Sequence, residues 1–97
     1  MKTLDYAAIG VRVRALRRAR GETQEQLARA AGISPSFLGH IERGTRILSV
    51  ESIFALSEAL ETEMAYLLVG RPVAERVENR AVIRQYLVEQ LKALEDE

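Results

Sequence analysis

The chain has 97 residues, no cysteine and a formal net charge of zero. Such a length holds one modest core and not two, and the absence of cysteine excludes disulfides, thiolate catalysis and cysteine-ligated zinc or iron–sulfur sites. The neutral balance hides a polarity: residues 1–50 carry nine cations against four anions, residues 51–97 five against ten, a pattern suited to one face meeting phosphates. The longest apolar runs, such as residues 65–69 (AYLLV), fall far short of the roughly 20 residues that span a bilayer. The first residues, with Asp5 and scattered arginines, lack a signal-peptide core, so a cytoplasmic protein without a membrane segment is expected.

Glycines at 21, 32, 44 and 70 each follow an apolar-periodic stretch, as helix stops do. The first predicted helix runs from about Asp5 to Ala19, with Tyr6, Ile9, Val13 and Leu16 on one face. Thr23 and Gln26 form a capping box opening a second helix, whose inner face is Leu27, Ala28 and Ala31. Ser34 and Pro35 cap and start a third, about Pro35 to Arg43. Ser49 caps a fourth, about Val50 to Leu60, presenting Ile53, Phe54, Leu56 and Leu60. Thr62 caps a short turn with Met64, Leu67 and Leu68. No strand-like alternation is sustained, and the fold class expected is all-α.

After Gly70, Arg71 and Pro72, residues 73–94 contain neither glycine nor proline and suit one helix of about 33 Å. Val73, Val77, Ala81, Ile83, Leu87, Val88, Leu91 and Leu94 share one broad stripe, which also holds Arg80 and Arg84. Charges on an apolar face suit a subunit interface in which ion pairs set register; the alternative is a helix packed back on its own domain with the arginines reaching water. The division expected is a domain at 5–69 and a helix at 73–95, the latter a dimerisation element.

The second helix, the turn at Gly32 and the third helix fit a helix-turn-helix position by position. Ala28 is small where the helices would cross, and Leu27, Ala31, Ile33, Leu38 and Ile41 point inward. Ser36, Gly39, His40 and Arg43 lie opposite Leu38 and Ile41. Ser36 there can donate to or accept from a base edge, His40 can approach guanine acceptors or a phosphate, and Arg43 and Arg46 suit phosphates. Phe37 is intermediate: its edge could touch a thymine methyl, though covering the core is the favoured reading.

The stretch from Ile9 to Leu60, with "TQEQLA" at 23–28 and "GIS.S.L..IERG" at 32–44 behind an arginine-rich first helix, resembles the phage-repressor-like helix-turn-helix family, the XRE or Cro/CI type of transcription regulator. The pattern around "ERGTRILSVESI" is similar to the restriction–modification controller subgroup. The resemblance implies a compact five-helix lambda-repressor-like domain, to which the C-terminal helix is an addition. It also implies that Gln24 bonds a DNA phosphate and buttresses the third helix, a role compatible with the N–H groups of a helix start. Arg17 and Glu42 match a family ion pair tying the first helix to the end of the third. The chain departs from many relatives in having Gly39 for serine and Leu48 for proline.

The candidate DNA-binding set is Gln24, Ser34, Ser36, Phe37, His40, Arg43, Thr45 and Arg46. An enzyme is not expected. His40 is the sole histidine, Ser34 and His40 sit on different sides of one short helix, and neither a glycine-rich phosphate loop nor a two-histidine metal spacing occurs. No cofactor or metal is expected, and no small-molecule effector is indicated. The function expected is a sequence-specific transcriptional regulator, binding a palindromic double-stranded DNA operator as a homodimer through the helix at 35–43. The alternative is an adaptor or antitoxin-like protein whose main partner is another protein. The discriminating feature is the basic surface of Arg12, Arg14, Arg18, Arg43 and Arg46.

Overall fold

A computed structural model describes residues 3–70 and 77–95, with side chains of the last helix described from Arg84 onward apart from Tyr86. Six helices follow one another: α1 Tyr6–Ala19, α2 Gln24–Ala31, α3 Pro35–Arg43, α4 Val50–Ala59, α5 Met64–Val69 and α6 Val77–Glu95. No strand occurs among the described residues, so the chain is all-α.

The first five helices close around Ile9 and Val13 of α1, Leu27 and Ala28 of α2, Leu38 and Ile41 of α3, Leu56 of α4 and Leu67 of α5. Burying each of the larger side chains stabilises the fold by about 1.5–3 kcal/mol. Local chemistry sets the helix starts. Asp5 accepts from the Ala8 N–H at 3.0 Å, Thr23 and Gln26 complete a reciprocal capping box at 3.1 and 2.8 Å, and Ser49 accepts from the Ser52 N–H at 3.1 Å. All four predicted glycine stops have positive φ, between 69° and 76°.

Two glycines do more than end or permit a helix. A Cβ on Gly10, within α1, would stand 2.3 Å from the Ile41 carbonyl oxygen and 2.7 Å from that of Glu42. Only glycine lets the backbones of α1 and α3 approach so closely. Gly44 seals the same seam from the other side: its φ is 73°, and a Cβ there would lie 2.7 Å from Ala7 Cα.

Two sequence expectations are corrected in the second half of the body. Phe54 is not part of the inner face of α4; it is 53% exposed. The buried face is Ile53, Leu56, Ser57 and, at the helix end, Leu60, a spacing of three and four that leaves Phe54 a third of a turn away. Thr62 does not cap α5, whose N-cap is Glu63 with no side-chain capping bond. The Thr62 N–H instead closes the end of α4 by donating to the Ser57 carbonyl at 2.9 Å, after the chain reverses at Glu61 with φ 53°.

The tail is helical from Val77 to Glu95. Its expected start at 73–76 lies outside the described residues, as do the side chains of Val73, Val77, Arg80, Ala81 and Ile83. Leu87, Val88, Leu91 and Leu94 are all exposed. Among the described residues, no helix is long and apolar enough to cross a membrane.

Candidate nucleic-acid interface

The corner between α2 and α3 is built by a left-handed Gly32, φ 71° and ψ 29°, after which the Ile33 N–H donates back to the Ala28 carbonyl at 3.0 Å. Ser34 then accepts from the Phe37 N–H at 3.0 Å, with Pro35 in the first turn. Using the Ser34 oxygen in this way leaves its hydroxyl proton available to an acceptor outside the helix. Leu38, Ile41 and Glu42 face inward, while Ser36 and Arg43 are exposed and His40 is half-buried.

Behind the helix stands an ion pair. Arg17 donates from Nε to Glu42 Oε2 at 2.7 Å and from Nη2 to Oε1 at 2.9 Å, and its remaining Nη1 donates to the Glu22 carbonyl at 2.9 Å. The two side chains are only 10% and 4% exposed. Gln24 joins them, its Nε2 donating to Glu42 Oε1 at 3.2 Å. Burial opposes the charge on Glu42, but the hydrogen bonds from Arg17 and Gln24 outweigh it and hold the carboxyl below the usual carboxylate range. Gln24 is thereby tied to α3 in the buttressing role that the resemblance implied, at the first position of α2 where N–H groups favour an anion.

Gly39 differs from its expected place. It lies on the outward side of α3 by register, yet it is buried, because the Arg43 side chain covers it: a Cβ at Gly39 would be 3.1 Å from Arg43 Nη1. Arg14, Arg18, Gln24 and Arg43 surround a depression floored by Arg17, Glu42 and Gly39. Four guanidinium groups thus meet one carboxylate that is already spent on Arg17, an excess of positive charge in a concave site. Arg14 and Arg18 were legible as basic surface but not as part of this depression.

Arg12, grouped with them by sequence, has another occupation. It donates from Nη1 to the Leu67 carbonyl at 2.8 Å and lies against Gly70, where an added Cβ would come 2.8 Å from its Nε. It satisfies the end of α5 and is withdrawn from the basic surface. Arg20 pairs with Glu22 and more loosely with Glu61 at 3.8 Å.

Past α3, the Thr45 N–H and hydroxyl both donate to the His40 carbonyl, at 3.0 and 3.2 Å. The same hydroxyl oxygen lies 3.0 Å from His40 Nδ1. Nδ1 is thereby engaged within the chain, which leaves Nε2 for an outside partner. Thr45 and Arg46 are exposed, Leu48 is buried and anchors the loop, and Phe37 is half-buried against the core.

A helix-turn-helix (HTH_3) family model matches residues 13–67, more than half of the chain. The chain belongs to this helix-turn-helix family. The uncharacterized HTH-type transcriptional regulator YazB of Bacillus subtilis (strain 168) is 49% identical over 51 residues, 53% of this chain and 74% of the relative. Among solved structures, the restriction–modification controller protein C.AhdI from Aeromonas hydrophila is 41% identical with a TM-score of 0.64, over 66% of this chain and 97% of that one. The P22 c2 repressor, solved in complex with synthetic operator 9T, is 33% identical with a TM-score of 0.63, over 65% and 96%. The chain is accordingly a DNA-binding HTH-type transcriptional regulator and not an enzyme. In all three matches about a third or more of this chain lies outside the aligned region.

Proposed function

We propose that this regulator acts in the cytoplasm as a homodimer on a palindromic operator. Each subunit places α3 in a major groove, with half-sites one helical turn apart, roughly 34 Å. The observation that carries the reading is the arrangement of Ser36 and His40 on the outer side of α3, flanked by the depression that Arg14, Arg18, Gln24 and Arg43 surround. The small polar side chains meet base edges while the arginines meet phosphates on either side. Ser36 donates to or accepts from a base. His40 meets a guanine acceptor or a phosphate. Arg46, with Ser34 and Thr45, contacts the backbone, and Phe37 covers the core beside the groove.

Residues 5–69 form the DNA-binding unit and 73–95 the dimerisation element. The exposed Leu87, Val88, Leu91 and Leu94 support the latter. So few base-reading side chains give each subunit modest specificity, which coupling two subunits multiplies.

The test is enrichment of genomic fragments by the purified chain, followed by sequencing. A palindrome with half-site centres about ten base pairs apart is the expected result; enrichment without any shared sequence would overturn the reading.

A further inference from the structure

The described face of α6 is self-complementary in one direction only. Arg84, Leu87, Val88, Leu91, Leu94 and Glu95 are exposed, and at about 100° per residue they fall within a sector of roughly 120°. A cation stands at one end of this apolar stripe and a carboxylate at the other, eleven residues apart in sequence, or about 16 Å along the axis. A parallel pair would set Arg84 against Arg84 and Glu95 against Glu95, like charges at the margins of a surface losing water. An antiparallel pair sets each Arg84 against the other copy's Glu95, with Val88 opposite Leu91 between them.

We propose that two copies of this chain pair through α6 in antiparallel orientation, held in register by reciprocal Arg84 and Glu95 contacts. This rests on the homodimer reading above and adds its geometry. The direction has a consequence for spacing. With the pairing centred near residue 89, the two helix starts at Val77 lie on opposite sides, about 36 Å apart; a parallel pair would hold them about 10 Å apart.

The chain has no cysteine, so introduced thiols report the direction cleanly. Full-length R84C and E95C are oxidised separately and as an equal mixture, with helicity checked by circular dichroism. A covalent dimer formed in the mixture between one R84C and one E95C chain, and much less in either alone, is the expected result. Dimers of R84C with itself and of E95C with itself would overturn the antiparallel arrangement while leaving the tail as a dimerisation element. A chain that sediments as a monomer, or that still dimerises after deletion of residues 73–97, would overturn the homodimer reading or its seat in the tail, and the arrangement with it. Without thiols, R84E weakens the dimer about tenfold and E95R in the same chain restores it; no restoration counts against the register.

Discussion

On the side of α3 that meets α1, the side chains and backbone are fixed by what they touch: Gly10 by two carbonyl oxygens, Gly44 by Ala7, and Glu42 by Arg17 and Gln24. On the side that faces outward, Ser36, Arg43 and Arg46 are exposed, and Arg43 lies across Gly39. The inner side is satisfied within the chain and the outer side offers donors and acceptors to something else. Substitutions on the two sides therefore separate by readout: the inner ones move stability, the outer ones move DNA binding while leaving the fold intact.

The largest effect is expected from Glu42→Ala, which leaves the buried Arg17 without its carboxylate and Gln24 without its acceptor. Breaking a buried pair by removing one partner costs about 3–5 kcal/mol, seen as a lower urea midpoint at unchanged m-value; a loss near zero would show that the seam is held by packing alone. Acid probes the same pair. Because the folded carboxyl is held below its ordinary range, its contribution is complete above the carboxylate range of the unfolded chain and is lost as pH falls through the lower, folded value. Arg17 is pushed the other way by its hydrogen bond to Glu42 and stays charged throughout. Glu42→Gln should flatten this acid limb of the stability curve.

Gly10→Ala comes next. Its methyl would meet backbone oxygens and not a flexible side-chain tip, so α1 and α3 must separate, at a cost of about 1–3 kcal/mol or somewhat more. Thermal unfolding measures it, and a change within about 0.5 kcal/mol would mean that the seam opens easily. DNA affinity should fall too, because α3 loses its support, whereas a substitution on the outer side lowers affinity with no change in melting temperature.

These two residues mark where sequence and structure part. The helix stops, the capping box and the Ser34–Pro35 start were legible because each is settled within a few residues of chain. The Arg17–Glu42 pair came from the family resemblance, which supplies a contact across 25 positions that periodicity does not. Gly10 reads in sequence only as a weak helix former, since its purpose lies in the carbonyls of residues 41 and 42. Arg12 and Arg14 look alike in the chain, and only the arrival of Leu67 and Gly70 beside Arg12 tells them apart. The reversal at Glu61 carries no glycine to announce it, so α5 was given the wrong cap. On the outer side of α3, the reading by register agrees with the exposure of Ser36 and Arg43. It failed for Gly39, because a long neighbouring side chain fills the space that glycine leaves.

On the outer side, Arg46→Ala should leave the melting temperature unchanged and weaken binding to every duplex alike. Removing one phosphate contact lowers the salt slope by about one unit. Titrations across a salt series measure it, and an unchanged slope would take Arg46 out of the phosphate contacts.

The smallest change in affinity is expected from Ser36→Ala. Ser36 is exposed and its neighbours in α3 keep their hydrogen bonds without it, so stability should stay within about 0.5 kcal/mol. What it loses is one hydrogen bond to one base, about 0.5–1.5 kcal/mol, and only on duplexes that carry the matching base. Selection on a randomised half-site should then show relaxed preference at a single position, with the others unchanged. The His40→Ala profile should differ: losing the imidazole relaxes preference at another half-site position, and the freed Thr45 hydroxyl leaves the backbone around Arg46 less fixed. Coincident profiles, or an equal loss on all sequences, would assign both side chains to positioning and leave base reading to the shape and spacing of the duplex.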